Sequence, residues 1–328
     1  MAALSVNHQK SIEIAQVIAP INFKKSFLQR PFISLKIDTK TKAAMYYYAV
    51  GICHQTYRLA HPRLNLYGWD YLEHGFMEMA QHQPELLDAH YLKELTVNEL
   101  IPLLQVFFSP TGHAKDCSLD SLEERAGLYL AMAHHLQLRN QSALEYFQAS
   151  NGEADYFYQN LASCRAYADP LQKKTSFLMK LLADAQMVHF SKGQEIIPIM
   201  DYHMQRVLLR TGAVEVLDET LKAALQSRET VQEDREIREA CIKSMQLIAK
   251  SAGLSVFKMN DIFYTLGRSC CNEKMLCTHH NCEKSPCTLT LAVEIEDHSR
   301  CIFQELCKGA QHKDYRKFWQ PQIKTHFY

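Results

Sequence analysis

Glycine and proline are scarce in this sequence, with 11 and 10 occurrences among 328 residues. β-Sandwiches and barrels need a turn every few residues, and those turns depend heavily on the same two residue types. Leucine, alanine, glutamine and glutamate are abundant instead, and these residues favour helix. The composition therefore predicts an all-α protein and argues against a mainly β one.

Neither sign of charge is in excess, because 36 Lys and Arg side chains balance 36 Asp and Glu side chains. A protein that contacts many phosphates usually carries a broad basic surface, so we expect at most a local basic cleft. Long apolar runs are also missing, and residues 1–27 lack the apolar core and small-residue cleavage site of an export signal. We expect a cytoplasmic protein with no membrane partner.

Cysteine is plentiful, but its distribution argues against a disulfide framework. Seven of the 11 cysteines fall between Cys270 and Cys307, in a chain without an export signal. Metal ligation explains such clustering better. Four thiolates satisfy either a tetrahedral Zn²⁺ or a [4Fe–4S] cluster, so composition leaves the metal open. The histidines that could replace one cysteine are His279, His280 and His298.

Three segments are predicted along the chain. Residues 1–40 carry no strong helical period and are expected to be an irregular lead-in. Residues 41–265 contain a series of helical patterns, among them 96–108 and 201–211, and are expected to form one helical body with two lobes around a cleft. Residues 266–328 hold the clustered cysteines and are predicted to be an appended metal-binding module.

The most informative segment spans residues 198–212. Pro198 precedes a helical pattern, Asp201 stands at its N-terminus, and Gly212 fits the position just past its end. An Asp at that position can simply cap the helix. The segment also resembles the Pro-x-Val-Asp-x-His-Val-x-Arg-Val-x-x-Arg-x-Gly motif of helix-hairpin-helix N-glycosylases, where the Asp lies in the base-excision pocket. The resemblance implies that Asp201 is catalytic.

A wider likeness extends from about Tyr47 to Gly253, where the order of segments resembles the queuosine-salvage nucleotide N-glycosylase family. The matching pieces are short but collinear, and they cover residues 91–96, 122–126, 149–152, 173–178 and 234–238. That family has an aromatic run for base stacking where this chain has Gly-Ile-Cys-His-Gln-Thr at 51–56, so the ligand need not be queuosine. The likeness implies a two-lobed, DNA-glycosylase-like helical fold.

The C-terminal segment is similar to a different group, the iron–sulfur DNA glycosylases. Their Leu-x-Gly-Arg-x-x-Cys start resembles residues 266–271, and their final pair of cysteines, with five residues between them, resembles Cys301 and Cys307. The resemblance implies a [4Fe–4S] cluster, with zinc as the alternative. Because extra cysteines are inserted in the middle, spacing alone does not assign the ligands. The candidate metal ligands are Cys271, Cys277, Cys282, Cys287, Cys301 and Cys307.

The glycosylase resemblances imply roles for further side chains. Lys173 or Lys174 would act as an amine nucleophile or bind the sugar or its phosphate, and the alternative is that both are solvated lysines at a helix start. His203 could contact the substrate by donating to the leaving base, but helical geometry turns it about 200° from Asp201 and favours packing behind the site. The aromatic residues that could stack on a base, or could equally lie in the core, are Trp69, Tyr47 and Phe177.

The expected function is hydrolysis of an N-glycosidic bond. A carboxylate close to the anomeric carbon stabilises the cation that forms on the sugar, and Asp201 suits that task. The balanced charge favours a small nucleoside or nucleotide carrying a modified purine or 7-deazapurine, such as queuine. Two alternatives remain. The first is an iron–sulfur DNA base-excision glycosylase, in which Arg206 and Arg210 would reach phosphate rather than line a solvated face. The second is a metal-stabilised binding module without catalysis.

Overall fold

Helix predominates in the computed structural model, which describes residues 3–191 and 193–328, as the composition predicts. The first ten helices are α1 (His8–Ile18), α2 (Pro31–Ser34), α3 (Thr39–Gly51), α4 (Trp69–His82), α5 (Ala89–Leu92), α6 (Val97–Phe107), α7 (Leu122–Gln137), α8 (Ala143–Gln148), α9 (Ala154–Leu161) and α10 (Lys173–Asp184). The remaining helices are α11 (Tyr202–Thr211), α12 (Glu219–Ser227), α13 (Arg235–Ala252), α14 (Val256–Ser269), α15 (Leu276–His279), α16 (Thr288–Ala292), α17 (Lys308–Gln311) and α18 (Lys313–Lys317).

Strands are few and short in the described part of the chain. They are β1 (Leu4–Val6), β2 (Ala60–His61), β3 (Leu66–Tyr67) and β4 (Val214–Val216). β1 pairs antiparallel with β4, with Leu4 opposite Val216, and β2 pairs antiparallel with β3. Single 3₁₀ turns connect several helices, at Lys25–Gln29, Thr56–Arg58, Pro62–Leu64, Pro84–Leu87, Ala114–Asp116 and Arg165–Tyr167. No helix in the described ranges is long and apolar enough to cross a membrane.

The chain divides into two compact units. Unit one comprises Met1–Leu28 and Ile196–Lys324, and unit two comprises Gln29–Glu195 and Thr325–Tyr328. This division differs from the predicted order of lead-in, body and appended module. The cysteine-rich segment shares unit one with α11, α13 and α14. In this unit α14 packs against α16, α11 packs against α17 and α18, and α13 packs against α11 and α14.

The predicted irregular lead-in contains a complete helix. Asn7 caps α1 by accepting a hydrogen bond from the backbone N–H of Lys10, at 2.9 Å. The helix packs against α13 in unit one. Its buried face has the three-to-four-residue spacing of an amphipathic helix, and consists of Ser11, Ile14, Ala15 and Ile18. The helical signal was therefore present in the sequence, but only over a little more than two turns.

The core of unit one brings α11 and α14 unusually close together. A Cβ atom placed on Gly267 of α14 would lie 2.7 Å from the carbonyl oxygen of His203 on α11. Only glycine permits that approach without a backbone shift. The contact fixes the helix that carries Asp201 against the helix that leads into the cysteine-rich segment.

The core of unit two is built around tyrosines of α3. Tyr46, Tyr47 and Tyr48 are all fully buried, so this helix has no solvated face along that stretch. The Tyr48 ring stacks on Tyr129 with centroids 4.4 Å apart, and Tyr47 stacks on Tyr167 at 5.5 Å. Rings of this size contribute much of the apolar area that stabilises a helical unit.

Candidate functional site

Asp201 occupies the N-cap of α11, the position that the sequence predicts. Its backbone is extended, with φ −107° and ψ 178°, and its Oδ1 accepts a hydrogen bond from the backbone N–H of Met204 at 3.1 Å. The residue is only 7% exposed. The helix ends at Gly212, whose φ of +79° is left-handed. Unit one therefore presents a nearly buried carboxylate at the positive end of a helix dipole, which favours the ionised form.

His203 is two residues after Asp201 in the chain, and its ring is held by other groups. Its Nδ1 accepts a hydrogen bond from Arg206 Nη2 at 3.0 Å, and its ring meets Tyr264 edge-on at 5.4 Å. Burial, followed by the charges of Arg206 and Arg268, lowers the pKa of His203 well below its usual range. The imidazole is therefore neutral, and its contacts are with Arg206 and Tyr264.

Arg206 and Arg210 are neither solvated nor directed at a phosphate. Both are buried, and they donate hydrogen bonds to backbone carbonyls, Arg206 to Cys271 at 2.8 Å and Arg210 to Phe318 at 2.9 Å. Their guanidinium groups also lie 4.5 and 5.3 Å from the ring centroid of Trp319. The alternative of a solvated face is therefore wrong for both residues. The arginines attach the C-terminal segment to α11.

The two candidate lysines belong to unit two and have different surroundings. Lys174 is completely buried, and its Nζ donates to the carbonyl of Gly51 at 2.5 Å. Burial, with smaller contributions from neighbouring charges, lowers the pKa of Lys174 to about 7. Lys173 is 7% exposed, and its Nζ lies 3.4 Å from Cys53 Sγ and 5.3 Å from the ring centroid of Phe177. The alternative of two solvated lysines is wrong for this pair.

One of the three predicted aromatic residues, Phe177, lies beside Lys173, and a second, Trp69, packs against Phe177. Trp69 and Phe177 are half-buried, and their rings meet at 4.8 Å with an interplanar angle of 65°. Tyr47 is 0% exposed, and its hydroxyl lies 3.0 Å from His135 Nδ1. Tyr47 is therefore a core residue with no free ring face for a base, which corrects its predicted stacking role.

Residues 51–56, where the chain departs from the salvage family, include two buried residues near the lysines, Cys53 and His54, for which the sequence predicted no role. Arg125 donates to the carbonyls of Ile52, at 2.5 Å, and His54, at 2.8 Å. His54 is 2% exposed, and neither of its ring nitrogens has a hydrogen-bond partner among the described residues. Burial and then the charge of Lys174 lower the pKa of His54. Cys53 and His54 thus flank the two lysines, and the only sequence signal was the mismatch with the family pattern.

Unit one also contains four side chains that could hold a metal ion. We name them the Cys₃His group, which consists of Cys270, Cys282, Cys287 and His298. Their ligand atoms all lie within 4.8 Å of one another. Cys270 Sγ is 3.5 Å from Cys287 Sγ and 3.6 Å from Cys282 Sγ. His298 Nε2 is 3.1 Å from Cys282 Sγ and 4.0 Å from Cys270 Sγ. The group is close enough to hold a metal ion.

Local structure explains how residues 28 positions apart along the chain meet. Cys270 is the C-cap of α14 and Cys287 is the N-cap of α16, and these two helices pack against each other. The hydroxyls of Ser269 and Thr288 lie 2.7 Å apart beside these two cysteines and strengthen the junction. Cys282 and His298 come from the loops on either side of α16.

The Cys₃His group differs from the predicted ligand set. It includes Cys282 and Cys287, but it uses Cys270 in place of its neighbour Cys271 and adds His298. The other predicted ligands, Cys271, Cys277, Cys301 and Cys307, lie outside it. Burial alone would lower the pKa of His298, but the neighbouring cysteines, Cys287 first, raise it.

Comparison of the chain with protein-family models and with curated proteins gave no match. What the structure establishes is a mostly helical protein with four Cys and His side chains placed to bind a metal. Its activity has to be inferred from the chemistry of the side chains.

Proposed function

We propose that this chain is an N-glycoside hydrolase of the helical glycosylase class, with Asp201 as its catalytic carboxylate. The observation that carries the proposal is the placement of Asp201, nearly buried at the N-terminus of α11 within a segment that resembles the glycosylase motif. The helix dipole at that position favours negative charge, and the capping hydrogen bond holds the carboxylate in place before a cation develops beside it.

The chemistry requires only one such group. As the bond between sugar and base breaks, positive charge builds on the anomeric carbon, and an ionised carboxylate stabilises that charge or deprotonates an attacking water. The base can leave without a second carboxylate if its ring nitrogen is protonated or hydrogen-bonded. The neutral, tightly held His203 is not suited to supply that proton.

A small substrate is favoured over a nucleic-acid duplex. The chain has no net charge, and Arg206 and Arg210 already donate to backbone carbonyls rather than facing solvent. We infer a nucleoside or nucleotide that carries a modified purine or 7-deazapurine.

Zinc is the ion that best fits the Cys₃His group. Zinc–sulfur bonds of about 2.3 Å in a tetrahedron place two sulfurs about 3.8 Å apart, close to the separations around Cys270. A cube of four irons and four sulfides would hold its ligands much further apart. Because all four positions of the tetrahedron are filled by protein atoms, such a zinc is structural and leaves no place for a catalytic water.

The proposal is tested by mass spectrometry of bases released from a panel of modified nucleosides and nucleotides. Asp201→Asn keeps a capping side chain but removes the charge, so we expect turnover to fall by about 10²-fold or more with little change in stability. Asp218→Asn is a matched control, because Asp218 caps α12 through the N–H of Leu221 at 2.7 Å and is exposed. Equal turnover in the wild type and the Asp201→Asn variant would remove Asp201 from the mechanism.

A second candidate function, a binding module without catalysis, is favoured by the capping bond itself. The hydrogen bond from the Met204 N–H gives Asp201 a structural task that needs no substrate. No base release from any member of the panel, together with nucleotide binding that Asp201→Asn leaves unchanged, would support this second candidate.

A further inference from the structure

Gln205 of α11 is a fully buried amide that the described part of the chain does not satisfy. The residue is 0% exposed, and neither its Nε2 nor its Oε1 has a hydrogen-bond partner among residues 3–191 and 193–328. Other buried polar side chains of the same helix, those of Arg206, Arg210 and Thr211, all donate to backbone carbonyls. Gln205 therefore differs from its polar neighbours on α11.

A buried amide in this state is unfavourable for folding. Both polar atoms lose water on burial, and no hydrogen bond within the described ranges replaces what they lose. Methionine would fill a similar volume without that cost. In folded proteins such groups usually bind a water or take part in catalysis. The amide of Gln205 is therefore a candidate for contact with a water or a substrate.

Gln205 lies on the face of α11 that begins with Asp201. Its backbone N–H donates to the carbonyl of Asp201 at 3.1 Å, which is the first hydrogen bond of the helix. Four residues at about 100° each place the two side chains within about 40° of each other around the helix axis. Helical side chains also lean towards the N-terminus. Helical geometry therefore directs the amide towards the turn that holds the Asp201 carboxylate.

The C-terminal segment is attached to a different face of this helix. Arg206 and Arg210 donate to the carbonyls of Cys271 and Phe318, and they stand about 140° and 180° from Asp201 around the axis. The face shared by the carboxylate and the amide is thus distinct from the face that holds the C-terminal segment.

We propose that the Gln205 amide holds the water that attacks the sugar beside Asp201. Oε1 accepts one hydrogen of this water and the Asp201 carboxylate accepts the other, so that a lone pair of the water faces the anomeric carbon. This inference rests on the proposed N-glycoside hydrolase function, because it assigns the second partner of the attacking water in that reaction.

The step balances as a simple hydrolysis. The water oxygen forms a bond to the anomeric carbon as the bond from that carbon to the base breaks, and the electron pair of the broken bond leaves with the base. The water proton passes to Asp201, and the departing base nitrogen takes up a proton from solvent. Asp201 then releases its proton to solvent, so one water is consumed for each base released.

The first test compares the wild type with Gln205→Met, with queuosine monophosphate and 7-methylguanosine monophosphate as the probes. Methionine keeps the length of the side chain but has no amide. We expect kcat for base release to fall by about tenfold or more while KM changes by less than about twofold, because the substrate still binds but the water is no longer positioned. An unchanged kcat, with or without a change in KM, would overturn the proposal.

Methanol provides a second measurement, which a purely structural role would leave unchanged. Methanol captures the sugar in place of water and forms a methyl glycoside. Gln205→Met should form at least about fivefold more methyl glycoside per base released than the wild type, because a held water no longer has the advantage of position. Leu209→Met is the control, since it places the same side chain at a buried position of α11, and it should keep the wild-type product ratio. Equal ratios in the wild type and Gln205→Met would contradict a held water.

Stability separates a positioning role from a structural one. Gln205→Met removes two unsatisfied polar atoms, so its urea midpoint should equal or exceed that of the wild type. A lower midpoint, or a variant that does not fold, would show that the amide has a structural partner and would refute the proposal.

Failure of the proposed function gives a different result from failure of this inference. A wild type that releases no base from either probe would remove the hydrolase activity itself. An active wild type that Gln205→Met equals in kcat and product ratio would remove only the role of Gln205.

Discussion

Lys174 should make the free energy of unfolding of this protein increase with pH, and the substitution Lys174→Met should remove that contribution. The amine is fully buried, and burial lowers its pKa from 10.5 to about 7. Between these two pH values the unfolded chain binds a proton that the folded chain does not. The free energy of unfolding therefore rises as pH increases from 7 towards 10.5, and the effect is absent below pH 7, where both states are protonated.

The magnitude follows from the shift. One proton contributes about 1.4 kcal/mol for each pH unit, so the rise from pH 7 to pH 9 is roughly 3 kcal/mol. Lys174→Met keeps the length and the apolar packing of the side chain but cannot titrate. The variant also loses the hydrogen bond to the Gly51 carbonyl, which costs about 1–3 kcal/mol at every pH and leaves the slope unaffected.

The measurement is chemical denaturation of the wild type and the Lys174→Met variant at a series of pH values from 6 to 10. The slope of unfolding free energy against pH should be smaller in the variant by about 1.4 kcal/mol per unit between pH 7.5 and 9.5. Lys93→Met, at an exposed position of the same unit, should leave the slope unchanged. Equal slopes in wild type and Lys174→Met would show that the buried amine stays charged, and would refute the reasoning.

Three further predictions follow from the described contacts. Asp201→Ala should destabilise the protein by about 1 kcal/mol in denaturant titrations. Asp201→Asn should destabilise it by clearly less, because only Asn can still accept the capping hydrogen bond. Equal losses of stability would show that the capping bond does not stabilise the protein. Gly152→Ala should lower the free energy of unfolding by more than about 2 kcal/mol, because φ of Gly152 is +77° and a Cβ would lie 2.1 Å from the His189 carbonyl oxygen. Gly127→Ala should raise it by roughly 0.5–1 kcal/mol, because Gly127 lies inside α7 with open space around a Cβ. Borohydride reduction during turnover should trap no adduct on Lys173 or Lys174, because both amines are buried, and a trapped peptide containing either one would favour a lyase-type mechanism.

Local sequence determined the helices whose signals are short-range. Thr96 caps α6 through a reciprocal capping box with Glu99, and Asp201 and Gly212 bound α11 as the segment predicts. Such signals act within four or five residues and survive whatever the rest of the chain does. The same reasoning missed α1, because its amphipathic spacing extends over only a little more than two turns.

Only the tertiary structure decided what the site residues do. Arg206 and Arg210 have the spacing of a solvated face, but Trp319, more than 100 positions further along the chain, covers them. Lys174 has the sequence context of an exposed helix start, yet it lies in the core beneath the end of α3. The choice between Cys270 and Cys271, and the inclusion of His298, depend on how α14 and α16 pack. Burial and ligand geometry arise from contacts between distant segments, and spacing along one segment cannot specify them.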